Sequence, residues 1–225
     1  MRKKLSVFTL LLLFPFFVFS QNFEGGFSFG LMTYQGDLAE SFVELREANL
    51  AYAFVLRNAI SDRFYLRVGF MGGQISGDDA NASSAGLQMR GFSFRSDLYE
   101  FHLLGEWNIL GEGRASTRGG VERQRFTPYL FLGVGAVLFD PQVFDGQEKD
   151  PEGRDYSTFN VSVPIGGGIK FGLNDRVVLS LEAGGRTAFS DYLDGISQLG
   201  NPDRNDWYFA GNLILTYTFG SPNIL

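Results

Sequence analysis

Along most of this chain, apolar and polar side chains alternate with a period of two. Phe23, Gly25, Phe27, Phe29 and Leu31 alternate with Glu24, Gly26, Ser28 and Gly30. Near the C-terminus, Trp207, Phe209, Leu213, Leu215, Tyr217 and Phe219 alternate with Asp206, Asn212, Thr216 and Thr218. Successive side chains of a β-strand point to opposite faces, so each such segment reads as a strand with one greasy and one polar side. The pattern predicts eight strands, over 22–34, 47–57, 63–76, 93–108, 127–139, 158–172, 176–188 and 206–219. In the third, Phe64, Leu66, Val68 and Phe70 face away from Arg63, Tyr65, Arg67 and Gly69. The fifth is apolar on both sides at Tyr129 to Leu132, and parity assigns Leu130, Leu132, Val134 and Leu138 to its greasy face.

Segments of this kind match the roughly 9–11 residues that a tilted strand needs to cross a bilayer. In lipid, strands satisfy their backbone only when the sheet closes on itself. The predicted fold is therefore all-β: an eight-stranded antiparallel up-and-down transmembrane β-barrel. The connections agree with it. Those at 58–62 and 173–175 are short, whereas those at 35–46, 77–92, 140–157 and 189–205 are long. In outer-membrane barrels the short turns face the periplasm and the long loops face outward. One connection breaks the rule, because 109–126 falls on the short-turn side yet runs to about eighteen residues, a length that is usually either functional or disordered. A soluble lipocalin-like barrel, with its greasy face turned inward, is the competing architecture. Aromatic residues near strand ends (Tyr34, Phe64, Trp107, Tyr129, Phe139, Tyr208, Phe219) favour the membrane form, as interface girdles. So do the strand glycines Gly133, Gly135, Gly166, Gly167, Gly168, Gly184 and Gly185, read as relief of crowding inside a narrow lumen.

The N-terminus changes the picture by adding an address. Arg2, Lys3 and Lys4 precede an apolar stretch from Leu5 to Phe19, with Val18 and Ser20 at small-residue positions before Gln21. This predicts a signal peptide over 1–20 and a barrel domain over 21–225, exported to the outer membrane. Without Arg2, Lys3 and Lys4 the formal net charge moves from −6 to −9, a balance that argues against nucleic acid. No cysteine is present, which excludes disulfides, thiolate metal sites and lipid attachment.

Candidate chemistry is sparse. His102 is the single histidine, and it shares a strand face with Glu100 and Glu106. A hydrolase or acyltransferase would need it oriented by a partner and beside a nucleophile. The preferred reading makes it part of a polar plug with Arg63, Arg67, Glu100, Glu106, Lys170, Glu182 and Arg186, since charges inside an eight-stranded lumen must be paired. No catalytic residue, cofactor or metal site is expected. One histidine and scattered carboxylates give no zinc spacing, and Gly166-Gly167-Gly168 leads to no helix that would cradle a phosphate. The expected contacts are outer-membrane lipids and, through Arg114, Arg118, Arg123 and Arg125 in the long 109–126 connection, an acidic partner.

Several short motifs carry a family resemblance. They are Tyr34-Gln35-Gly36-Asp37-Leu38, Phe92 to Glu100, Thr127-Pro128-Tyr129-Leu130-Phe131 with Phe139-Asp140-Pro141, Pro164 to Lys170, and Arg186 to Asp194 with its Ser-Asp-Tyr-Leu-Asp stretch. Together they resemble the PorG-like outer-membrane proteins of the Bacteroidota, with Tyr34, Gly36, Asp37, Asp191, Tyr192 and Asp194 as the motif positions. The resemblance implies a non-catalytic barrel component of the type IX secretion system. It also implies periplasmic partners, namely the ring-forming lipoprotein and associated secretion components. A small structural or surface-binding barrel is the other reading, and a lipid hydrolase or acyltransferase the third.

Overall fold

A computed structural model describes residues 23–35, 47–81, 85–111, 114–117, 120–123, 125–144, 157–189, 193, 195 and 206–219. The signal segment, most of the long loops, Arg118 and the motif residues Gly36, Asp37, Asp191, Tyr192 and Asp194 lie outside these residues.

Among the described residues there are ten strands: β1 (Phe23–Gln35), β2 (Asn49–Ala59), β3 (Phe64–Asp78), β4 (Ser93–Asn108), β5 (Arg114–Thr117), β6 (Gly120–Arg123), β7 (Phe126–Phe144), β8 (Phe159–Gly172), β9 (Val177–Ala188) and β10 (Trp207–Phe219). Eight of them close a barrel in the order β1-β10-β9-β8-β7-β4-β3-β2, every neighbour antiparallel. Closure comes from β1 against β10, in register from Phe23↔Phe219 to Gln35↔Trp207. With no free edge, the backbone of these strands is satisfied within the protein. A six-residue helix, α1 (Ala85–Arg90), sits between β3 and β4.

The alternation predicted from the sequence is the alternation of the wall. On β4 every even residue from Phe94 to Asn108 is buried in the lumen, and the odd residues face out. Phe29 (72 % exposed), Leu50, Phe54, Phe101, Leu132 and Leu215 belong to an outward apolar belt. Leu130, Leu132, Val134 and Leu138 of β7 lie on that belt as parity assigned them. No aqueous surface carries so many exposed large apolar side chains in one band, and a lipid-facing surface does.

Two strand details show how proline is accommodated. β7 runs beyond the predicted 139 to Phe144, pairing on one side with β4 as far as Ser93↔Phe144, while its pairing with β8 stops at Leu138↔Phe159. Pro141 therefore lies beyond the described β7–β8 ladder, where a missing N–H does least harm. Between β7 and β8 the register is interrupted from Leu132↔Ile165 to Gly135↔Ser162, at Pro164.

The short turns fold through local side-chain bonds. Phe64 N donates to Ser61 Oγ (3.1 Å), and Asn174 Oδ1 accepts from Arg176 N (2.9 Å) and Val177 N (2.8 Å). The 109–126 connection is not a bare loop. It contains β5 and β6, which form a separate two-stranded sheet outside the barrel. Its bases are tied to the rim, with Ile109 N donating to Pro128 O (2.9 Å) and Gly172 N donating to Arg125 O (2.8 Å).

Three expectations are corrected. Tyr34, Tyr129, Phe139 and Tyr208 are not girdle residues but are buried in the lumen; Phe64, Trp107 and Phe219 are exposed on the outer wall. Position near a strand end does not decide which side a ring faces, because parity does. Gly167 and Gly185 do not relieve the lumen, since they fall on the outward parity of β8 and β9 beside Ile165 and Ala183. The third correction is Arg63, which lies exposed in the β2–β3 turn, one residue before the strand that would have turned it inward.

Candidate functional site

The lumen is the chemically dense part of the molecule, and it is layered. Nearest the turns, Glu106 on β4 is a hub for three cations from three strands. Its carboxylate lies 2.9 Å from Arg57 Nε, 3.1 Å from Arg67 Nη1 and 2.9 Å from Lys170 Nζ. Arg67 also forks onto Glu182, at 2.5 and 3.2 Å, and the Tyr129 hydroxyl donates to the same carboxylate at 2.6 Å. Lys170 Nζ stands 4.4 Å from the Tyr65 ring centroid and Arg67 lies over Phe131 at 5.0 Å. Glu24 completes the layer, accepting from Thr216 and Thr218 and facing Arg57 Nη1 at 3.9 Å.

Halfway up, Glu100 gathers a second cluster. It accepts from Ser162 Oγ (2.8 Å), His102 Nδ1 (2.9 Å), Arg186 Nε (3.3 Å) and the Tyr208 hydroxyl. With donors converging on this carboxylate, His102 Nδ1–H is the donor, and Nε2 points to the opposite side. That side has no hydrogen-bond partner and is pressed against β3 at Gly69. A Cβ at position 69 would stand 2.2 Å from Nε2, so glycine is required there by the imidazole itself.

Among the described residues of the barrel strands, the buried carboxylates are Glu24, Glu100, Glu106 and Glu182, and the buried cations are Arg57, Arg67, Lys170 and Arg186. These strand charges balance four against four, as low-dielectric surroundings favour, and Asp206, buried just before β10, adds one carboxylate at the mouth. Seven of the eight residues expected in the plug (Arg67, Glu100, His102, Glu106, Lys170, Glu182 and Arg186) are brought together there, and Arg63 is not. Glu24, Arg57 and the phenols of Tyr129 and Tyr208 were missed. Arg57 follows Ala51, Ala53 and Val55 on its face, small apolar residues that disguise a lumen row. A charge breaking such a row was the available signal.

Towards the loops the lumen turns apolar, contrary to the polar interior expected. Met32, Met71, Ile75, Phe94, Leu98, Val137, Phe139 and Val143 form one buried cluster with Tyr34 and Tyr208. Leu193, from the Ser-Asp-Tyr-Leu-Asp stretch, is fully buried in the same cluster. Asp206 secures it, taking the Leu193 N–H at 2.9 Å on one oxygen and the Tyr34 hydroxyl at 2.7 Å on the other. Two motif segments distant in sequence therefore meet at the mouth of the barrel. Paired charges on the turn side and this apolar cluster on the loop side together line the described lumen along its length.

Of the arginines assigned to partner contact, Arg125 is exposed at the rim, and Arg114 and Arg123 stand directly opposite each other in the β5–β6 register. Among the described residues, no group of three or more His, Cys, Asp or Glu is placed to share a metal ion.

Residues 2–224 match the family described as "Domain of unknown function (DUF6089)", and the chain belongs to that family. Among solved structures it is similar to Neisserial surface protein A, at TM-score 0.51 and 12 % identity, covering 88 % of this chain and 97 % of that one. It is also similar to a major outer membrane protein from Thermus thermophilus (TM-score 0.47, 14 % identity, 88 % and 99 % covered). A third is the attachment invasion locus protein Ail of Yersinia pestis in complex with sucrose octasulfate (TM-score 0.44, 12 % identity, 88 % and 97 % covered). The first of these shows the fold, an eight-stranded outer-membrane-type barrel. No curated protein matches the sequence.

Proposed function

We propose that this member of the DUF6089 family is a non-catalytic outer-membrane anchor that positions type IX secretion machinery, its periplasmic partners docking at the 109–126 connection. The observation that carries this reading is the β5–β6 hairpin, an added sheet at the end where the other described turns are tight. A bore lined by paired charges and an apolar cap favours an anchor over a conduit. The connection carries Arg114, Arg118, Arg123 and Arg125 against Glu112 and Glu122, a positive patch on an acidic chain. Such a patch steers and orients an acidic partner.

Reversing Arg118 and Arg123 to Glu is expected to weaken recovery of the ring-forming lipoprotein when the barrel is purified from outer membranes. Barrel folding, read by heat-modifiable gel migration, should stay unchanged. Undiminished recovery would remove the docking role from this connection.

The same reading assigns His102 no chemistry. Ser162 is bonded to Glu100 rather than to the imidazole, and Nε2 faces a glycine backbone instead of a nucleophile. His102→Gln should leave secretion of cargo proteins and the lipid composition of the membrane unaltered, with at most a stability loss of about 1–3 kcal/mol. Lipid turnover that disappears in this variant, with the barrel intact, would favour the hydrolase reading.

A further inference from the structure

Three of the barrel strands that rise from the turn end, β3, β7 and β9, are each preceded by an exposed arginine: Arg63, Arg125 and Arg176. Each is pinned to the neighbouring strand through its backbone carbonyl. Asn108 N donates to Arg63 O (2.7 Å), Gly172 N to Arg125 O (2.8 Å) and Thr218 N to Arg176 O (2.7 Å). In the closed order, β8 separates β9 from β7, and β4 separates β7 from β3. Neighbouring arginines therefore stand two strand spacings apart around the rim, about 10 Å.

The outer wall beside each arginine carries exposed aromatic rings. Phe64 is paired with Trp107 next to Arg63, and Phe126 with Phe171 next to Arg125, their centroids 5.3 Å apart. Tyr217 lies against Phe219 at 5.1 Å beside Arg176. These rings form the girdle at the turn-side edge of the apolar belt, so the arginines stand in the headgroup layer just beyond it. Arg176 is held most firmly. Its N–H donates to Asn174 Oδ1, and its Nη1 donates to the Tyr217 hydroxyl at 3.0 Å, which keeps the guanidinium against the outer wall. Every cation of the lumen has a carboxylate partner. Among the described residues none of these three forms an ion pair, although Asp62 and Asp175 precede Arg63 and Arg176 in the turns. Their counter-charge lies outside the chain.

We infer that this rim binds the phosphodiester headgroups of anionic phospholipids in the periplasmic leaflet, one at each arginine. A guanidinium fork matches two phosphate oxygens. Tyr217, which accepts from Arg176, keeps its own O–H to donate to the same phosphate, and the acyl chains lie on the apolar belt. The turn end faces the periplasm, where the leaflet is glycerophospholipid, and this selects the source. An acidic protein segment fits less well, because the three cations are spread over about 20 Å of the circumference at membrane level. The inference stands apart from the docking role proposed for the 109–126 connection and shares only Arg125 with it.

Each protein is purified in mild detergent, its fold checked by heat-modifiable migration, and offered equal amounts of phosphatidylglycerol and phosphatidylcholine. Retained lipid is counted by native mass spectrometry. The wild type should retain phosphatidylglycerol in preference to phosphatidylcholine. Arg176→Gln should lower that preference about fivefold, and Tyr217→Phe about twofold. The combined variant Arg63→Gln, Arg125→Gln and Arg176→Gln should lose it. Arg95→Gln, which removes an exposed cation from the loop-side end of β4, should leave it unchanged. Equal retention of the two lipids by the wild type, unchanged preference in the folded triple variant, or an equal loss in Arg95→Gln would each overturn the assignment. So would displacement of the lipid by excess inorganic phosphate, which would make the ligand a soluble anion, or preferred retention of an added acylated glucosamine glycolipid.

Discussion

Glu106→Ala is expected to destabilise the barrel by about 3–5 kcal/mol, because it strips three buried cations of their shared counter-charge. Arg57, Arg67 and Lys170 all converge on this carboxylate from different strands. Of the three, Arg67 retains Glu182, while Arg57 keeps the 3.9 Å approach to Glu24 and the Tyr129 ring at 5.9 Å. Urea unfolding in lipid vesicles, followed by tryptophan fluorescence, measures the loss. Adding Lys170→Met to Glu106→Ala should recover part of it, since it removes a cation together with the charge it faced. Additive losses in the double variant would show that the two groups are not coupled.

The second large effect concerns depth. Leu213 is the central residue of β10 and points outward with half its surface exposed. Leu213→Arg places a cation at mid-bilayer and should cost about 2–4 kcal/mol in the same assay. Leu66, two residues from the start of β3, lies near the turn-side interface. Leu66→Arg should cost only about 0–1 kcal/mol, as a long side chain there reaches headgroups. Equal costs at the two positions would contradict the placement of the belt, and no cost at either would contradict immersion in lipid.

How far the chain could be read depended on whether a feature was local or collective. The eight barrel strands, the division of each into two faces and the exceptional length of 109–126 followed from the period of two and from turn residues, all of which act within a few neighbours. Which face meets lipid did not follow from period alone. The parity of Glu100, His102 and Glu106 on β4, or of Leu130 and Leu132 on β7, is a property of the backbone pleat. It needs no knowledge of the other strands.

Only closure of the barrel decided the rest, because shear and register set which strand levels meet. Arg57 reaches Glu106 although 49 residues separate them, and Arg67 reaches Glu182 across 115. Tyr208 finds Glu100 from a strand 108 residues away. Parity within β10 turns Tyr208 inward, but nothing in that strand says which lumen carboxylate its hydroxyl meets. Gly69 looks like any strand glycine until His102 is laid against it. Gly167 and Gly185 likewise look like lumen relief until the neighbouring strands align Ala183 and Gly211 with them on the outer wall. Period therefore determined the wall of this protein, and the register of the closed barrel determined what the wall encloses and what it leaves open to lipid.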